Sequence, residues 1–191
     1  YSKFAAIGVG DFMQEDKLEN QKPNKIRRRD QTASLDYELD HYQQGYTRIV
    51  GVDEAGRGPW AGPLVVGAVA LPLNQPDLQV ALKGVRDSKL MTPLQRESLV
   101  ETIKEVSLAW GIGEVDANEV AELGLTAATR LAANRALQML ISDGFEPDCL
   151  FCDYMKVPDW SIHQVSIVKG DQKSLSIAAA SVLAKVSRDL Y

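Results

Sequence analysis

The chain has 191 residues, 45% of them hydrophobic and 25% charged, enough for one domain with a sizeable core. No apolar run is long enough to span a bilayer, and the N-terminus lacks the basic-then-apolar pattern of a secretory signal; the expected home is the cytoplasm, with no membrane partner. The formal net charge of −5 argues against binding nucleic acid through overall positive charge and leaves that role to local basic patches.

The first residue is Tyr1 rather than Met, so a start further upstream is expected. Residues 1–34 mix charge signs without a sustained period and read as a flexible, solvated tail. Their short basic cluster, Lys25-Ile26-Arg27-Arg28-Arg29, leaves a nucleic-acid arm as the other reading. The folded domain is expected over 35–191. Leu35 to Tyr46 reads as a short helix with Leu35, Leu39 and Tyr42 on its apolar side and Gly45 at its end. Ile49 to Val52 reads as a strand, and Pro63 to Leu71 as a second one pairing antiparallel with it. Gly84 to Lys89 forms a loop carrying Arg86, Asp87, Ser88 and Lys89. Thr92 then caps a helix with Pro93 at its first position.

Ser107 to Glu114 reads as a third strand, and Asp116 caps a short helix over Asn118 to Leu123. Thr126 to Ile141 has the pattern of an amphipathic helix, closed by Gly144. Cys149 to Asp153 is a fourth strand and Ser161 to Val168 a fifth. Lys173 to Arg188 is a last helix with Leu175, Ala179, Val182 and Val186 as its buried stripe. Strands that then alternate with helices describe an α/β layer architecture with an antiparallel first pair. Cys149 and Cys152 have C-x-x-C spacing. Leu150 and Phe151 lie between them, and no second Cys/His pair stands at finger spacing, so they read as inert buried thiols.

Acids follow three of the apolar runs. Asp53 and Glu54 follow Ile49–Val52, Asp153 follows Cys149–Cys152, and Asp171 follows Ile167–Val168 and the Lys169-Gly170 turn. Strand C-termini in an α/β sheet gather side chains distant in sequence. Four converging carboxylates cannot all stay ionised without a cation, and an all-oxygen set suits Mg²⁺ or Mn²⁺. Two such ions would clamp the attacking and leaving oxygens of a phosphoryl transfer. The glycines flanking Arg57 let another molecule approach the backbone. Asp87, Asp148, Asp159 and Asp189 read as turn, cap or helix-end residues, with Asp189 paired to Arg188. Gly56, Gly58 and Gly62 also resemble a dinucleotide fingerprint, but the spacing is one residue too long, Pro59 and Pro63 interrupt it, and a strand follows.

With these residues in view, the chain resembles bacterial ribonuclease HII, of the type 2 ribonuclease H family. The matching stretches are Gly51-Val52-Asp53-Glu54-Ala55-Gly56-Arg57-Gly58-Pro59, Arg86-Asp87-Ser88-Lys89, Phe151-Cys152-Asp153 and Lys169-Gly170-Asp171. They continue through Ile177 to Val186 and Arg188-Asp189. The resemblance implies an RNase H-like fold, a mixed central sheet of about five strands flanked by helices. It implies endonucleolytic hydrolysis of RNA in RNA–DNA hybrids and incision 5′ of single ribonucleotides embedded in duplex DNA, as in ribonucleotide excision repair. It carries the catalytic and metal-binding acids onto Asp53, Glu54, Asp153 and Asp171. Gly56, Arg57 and Gly58 fall on the element that senses the ribose 2′-hydroxyl, a pattern that the related ribonuclease HIII lacks. Lys89, Ser181 and Lys185 fall near the nucleic-acid backbone.

On this reading Asp53 bridges two ions and the other three acids complete their shells. Water, activated there, attacks the phosphate and leaves a 3′-hydroxyl and a 5′-phosphate. Ser174, Ala178, Ser181 and Lys185 share one face of the last helix, opposite the apolar stripe, and are expected to face phosphate. The expected partners are RNA–DNA hybrid and ribonucleotide-containing duplex DNA, and the expected state is a monomer. Cys152 stands where the family has a small aliphatic residue. The family continues into a further helical segment with a tyrosine beside the ribonucleotide, and nothing up to Tyr191 matches it. A non-catalytic or weakly active hybrid-binding module is therefore the alternative.

Overall fold

The computed structural model describes residues 31–58 and 62–191. The basic cluster at 25–29 lies outside them. The helices are α1 (Asp36–Gln43), α2 (Leu78–Ala81), α3 (Pro93–Val106), α4 (Ala117–Leu123), α5 (Leu125–Ser142) and α6 (Leu175–Asp189). The strands are β1 (Ile49–Ala55), β2 (Leu64–Ala70), β3 (Ala109–Val115), β4 (Cys149–Asp153) and β5 (His163–Ile167). Single 3-10 turns lie at Ser88–Leu90 and Gly170–Gln172.

The five strands form one mixed sheet in the order β3-β2-β1-β4-β5. β1–β2 and β2–β3 are antiparallel, the first joined by a short connection and the second through α2 and α3, whereas β1–β4 and β4–β5 are parallel, the latter pair joined by the loop at 154–162. Val52 is paired with Cys152, so the residues that follow, Asp53 and Asp153, leave neighbouring strands at the same edge. This register brings two acids a hundred positions apart in sequence to one place.

Successive residues of β1 face opposite layers. Val50 and Val52 join Ala132, Ala136 and Leu140 of α5 in one buried layer. On the other face, a Cβ on Gly51 would overlap the backbone of Ser176 and Ile177, and one on Gly67 would overlap Ala180. These bare backbone positions let α6 lie directly on β1 and β2, so its buried alanines touch the sheet. Opposite-face alternation also separates the two cysteines. Cys149 packs with Phe151 and Ile177, and Cys152 with the α5 layer, so they cannot reach one another. Burial pushes both thiols up to about 12.

Helix starts follow their local chemistry. Thr92 and Gln95 form a reciprocal capping box at α3, with Pro93 in the first turn, and Asp116 and Glu119 form another at α4. Four expectations need correction. Residues 32–34 belong to the fold rather than a tail: Ala33 is buried and its N–H donates to Val85 O at 3.0 Å. On α1, Leu39 and Tyr42 are exposed and Glu38 is buried, because donors of α6 sit beneath that helix and need an acceptor. The α6 residues 175–184 are buried all round, so Ser174, Ala178 and Ser181 form no open phosphate-facing surface. Asp189 pairs with Arg96 and Lys185 rather than Arg188, whose Nε donates to Pro63 O at 3.1 Å.

Candidate active site

β1 delivers Asp53, β4 delivers Asp153, and the 3-10 turn before α6 delivers Asp171. One carboxylate oxygen from each lies within 4.8 Å of the others. Asp53 and Asp171 are both only 3% exposed. The backbone N–H of Gly170 donates to Asp153 Oδ1 at 3.0 Å and ties the turn to the end of β4. Glu54 lies outside this trio. Its Oε1 accepts from Arg57 Nη1 at 3.3 Å.

Three of these acids are held away from their ordinary protonation. Burial, then the neighbouring Glu54, Asp153 and Asp171 carboxylates, raise Asp53 well above its usual range, against a hydrogen bond from Ser181 that lowers it. Burial also raises Glu54, and Arg57 partly offsets the effect. Asp171 is pushed up to about 7 by burial, then by Asp87 and Asp153, with Lys89 opposing. Asp53 Oδ2 and Glu54 Oε2 are buried without a hydrogen-bond partner. Unpartnered buried carboxylate oxygens are costly. A divalent cation with hard oxygen preferences fits them, and Mg²⁺ and Mn²⁺ have that preference. Asp53, Asp153 and Asp171 are the residues placed to hold it, with Glu54 at their side.

Lys89 comes from the Ser88–Leu90 turn. Desolvation lowers its pKa, but Asp53, Asp171, Asp87 and Asp153 together outweigh this and raise it, so its ammonium stays charged beside the acids. Asp87 was read from sequence as a turn residue, and it is one: its Oδ1 accepts from Lys89 N at 3.0 Å. It also faces the acids, where its charge raises Asp171, and its Oδ2 accepts from Gln172 Nε2 at 3.2 Å. Membership of the Arg86-Asp87-Ser88-Lys89 stretch was the available signal.

Ser181 is buried, with its hydroxyl 2.8 Å from that of Ser88, and it holds the Asp53 carboxyl down against burial. Lys185 is half-buried and paired with Asp189. Arg96 is a functional neighbour with no sequence signal, since it reads as one more charge on α3. It is buried and donates to Ser88 O at 3.0 Å, Met91 O at 2.7 Å and Asp189 Oδ2 at 2.9 Å. It thereby fixes the turn that carries Lys89.

On the Glu54 side, Gly56, Arg57 and Gly58 line a cavity of about 350 Å³ with Leu64, Val120 and Leu125. Gly56 has φ +110, and a Cβ there would meet Pro63 O and the Arg188 side chain, so glycine is required. The loop is thus bare backbone beside a half-exposed guanidinium, next to a cluster of acids.

The model of the family described as Ribonuclease HII matches residues 50–191. Ribonuclease HII of Acetivibrio thermocellus is 48% identical over 153 residues, covering 80% of this chain and 57% of that protein. Ribonuclease HII of Moorella thermoacetica is 50% identical over 147 residues, covering 77% and 68% respectively. The chain thus spans little more than half of the Acetivibrio protein's length. The crystal structure of ribonuclease H2 from Pyrococcus horikoshii OT3 superposes with a TM-score of 0.62 at 29% identity, covering 75% of this chain and 72% of that one. The mixed five-stranded sheet flanked by helices is accordingly an RNase H-like fold. On the match over residues 50–191 and these identities, the chain belongs to the ribonuclease HII family.

Proposed function

We propose that this chain is an endonuclease that hydrolyses RNA in RNA–DNA hybrids and incises duplex DNA 5′ of a single embedded ribonucleotide. The observation that carries the reading is the trio of buried Asp53 and Asp171 with half-buried Asp153, and the orphaned Asp53 Oδ2, beside the Gly56-Arg57-Gly58 loop. Family membership supports it independently.

In this proposal Asp53, Asp153 and Asp171, with Glu54, hold two divalent ions, Mg²⁺ or Mn²⁺. Bound there, the ions would neutralise charge developing on the phosphate and activate water. The chain's own residues do the rest. Arg57 and the bare backbone of Gly56 and Gly58 recognise the ribose 2′-hydroxyl, the group that separates RNA from DNA. That hydroxyl serves recognition and takes no part in attack. Lys89 offers its ammonium to the backbone phosphate beside the acids. Lys185 contributes charge at the helix flank, and Ser181 acts by lowering the pKa of Asp53. Hydrolysis breaks the bond on the 5′ side of the ribonucleotide and leaves a 3′-hydroxyl and a 5′-phosphate.

The test is cleavage of a uniform RNA–DNA hybrid, an all-DNA duplex and a duplex with one ribonucleotide, each with Mn²⁺ or with chelator. Metal-dependent cleavage of the two ribose-containing substrates by the wild type, abolished in Asp53→Asn, is the expected result. Cleavage by Asp53→Asn at the wild-type rate sinks the assignment of that acid.

A further inference from the structure

Glu38 on α1 is a fully buried carboxylate that the proposed chemistry does not use. Its Oε1 accepts three hydrogen bonds from the start of α6: from Ser174 Oγ at 2.6 Å, Ser176 Oγ at 2.7 Å and Ser176 N at 2.9 Å. Its Oε2 is buried without a partner. An ordinary cap does not explain this arrangement, because Ser174 already caps α6 by accepting from Ile177 N at 3.3 Å. Glu38 is a second cap, supplied by another element, whose Oε1 meets the donors at the start of the helix.

The segment leading to Glu38 is tied to both flanks of the acid site. Gly84 N donates to Thr32 Oγ at 2.8 Å and Ala33 N to Val85 O at 3.0 Å, which anchors the loop that brings Asp87 and Lys89. Leu175 N donates to Ser34 O at 2.9 Å, and Ser34 Oγ donates to Lys173 O at 3.2 Å. On the α6 side, Ser174 N and Lys173 N both donate to Gly170 O at 2.9 Å. The first turn of α6 and the turn carrying Asp171 are therefore one hydrogen-bonded unit, and Glu38 joins it to α1 through three hydrogen bonds.

We infer that Glu38 is a positioning residue for the divalent-cation site: its carboxylate fixes the first turn of α6 and, through Gly170, the place of Asp171 beside Asp53 and Asp153. This rests on the metal reading above. A glutamine keeps an acceptor oxygen for the three donors, so Glu38→Gln should largely preserve the site. Glu38→Ala leaves Ser176 N without its acceptor and the Ser174 and Ser176 hydroxyl donors with only each other, 3.1 Å apart. Glu38→Asp keeps the carboxyl group but draws the oxygen back by one methylene.

The experiment is calorimetric titration of Mn²⁺ into wild type, Glu38→Gln, Glu38→Asp, Glu38→Ala and the core control Leu140→Val, all without substrate. Leu140 sits in the α5 layer, on the other face of the sheet. Glu38→Ala should weaken Mn²⁺ binding about tenfold and Glu38→Asp about threefold, in the range seen when groups supporting metal ligands are removed, with Glu38→Gln and Leu140→Val within about twofold of wild type. If Glu38→Ala does not fold, Glu38→Asp decides alone. Wild-type binding in Glu38→Ala or Glu38→Asp, or equal weakening in Leu140→Val, overturns the inference. Failure of the wild type itself to bind Mn²⁺ overturns the metal reading instead.

Discussion

The hydroxyls of Ser88 and Ser181 lie 2.8 Å apart in a buried contact that joins the turn before α3 to the middle of α6. Ser181 also lowers the pKa of Asp53 against burial. Ser181→Ala removes that influence and strands the Ser88 hydroxyl. The expected stability loss is about 1–2 kcal/mol, read from urea midpoints. Asp53 should also become harder to ionise, so the acidic limb of the pH–rate profile should move to higher pH. An unmoved limb contradicts the role given to Ser181.

The crowded acids predict an unusual pH dependence of the metal-free protein. The folded Asp171 carboxyl titrates at about 7, against 3.8 as its ordinary value. Between these values the folded state keeps a proton that the unfolded chain has released, so stability falls as pH rises through that window. Burial moves Asp53 in the same direction. With chelator present, the thermal midpoint should be higher at about pH 5 than at about pH 8, and Mn²⁺ should raise it most at the higher pH. A metal-free midpoint that climbs across this range contradicts the strained-acid picture.

Arg57 meets Glu54 through a 3.3 Å contact in which the guanidinium is half-exposed and the carboxylate largely buried. Arg57→Ala leaves that carboxylate without its cation, so the metal-free protein should lose about 1–2 kcal/mol of stability. The effect of Arg57→Ala on cleavage should fall on the ratio at ribo- to deoxyribonucleotide positions, more than on the Mn²⁺ concentration needed for activity. Equal loss in both measurements argues against a sensing role.

Arg96 donates to two carbonyls of the Ser88–Met91 turn and to Asp189. Arg96→Met fills similar volume but orphans Met91 O, leaves Ser88 O with only the Met91 N–H at 3.3 Å, and removes the contact to Asp189. A destabilisation of about 2–4 kcal/mol is expected in urea unfolding, because the guanidinium is buried while Asp189 is partly solvated. The KM for hybrid should rise as well, since the turn that aims Lys89 is no longer fixed. Loss of stability with unchanged KM would separate Arg96 from the site.

The strands and their acids were legible because apolar runs end abruptly. Val52 before Asp53 and Cys152 before Asp153 marked strand ends, and the register Val52–Cys152 brings those acids together. The helix starts at Thr92 and Asp116 were legible because capping residues act within four positions. What escaped was long-range polar pairing. Periodicity puts Leu39 and Tyr42 inside and gives no reason to bury Glu38, because it registers apolar surface and not the donors on α6 that an acid must meet. The Arg96–Asp189 and Ser88–Ser181 pairings escape for the same reason, since each spans 93 positions, and Ser181, expected to face phosphate, is turned inward by its pairing. The short α2 over Leu78–Ala81 was missed because four residues are too few to show a period. β5 proved shorter than the expected Ser161–Val168.

The central claim is that these acids direct metal-dependent hydrolysis at a ribonucleotide, and product-end analysis of one labelled duplex carrying a single ribonucleotide tests it most directly. With Mn²⁺, the account predicts one incision on the 5′ side of the ribonucleotide, leaving a 3′-hydroxyl and a 5′-phosphate, and no cleavage with chelator. Incision on the 3′ side with a 2′,3′-cyclic phosphate end, or cleavage that persists in chelator, would contradict it.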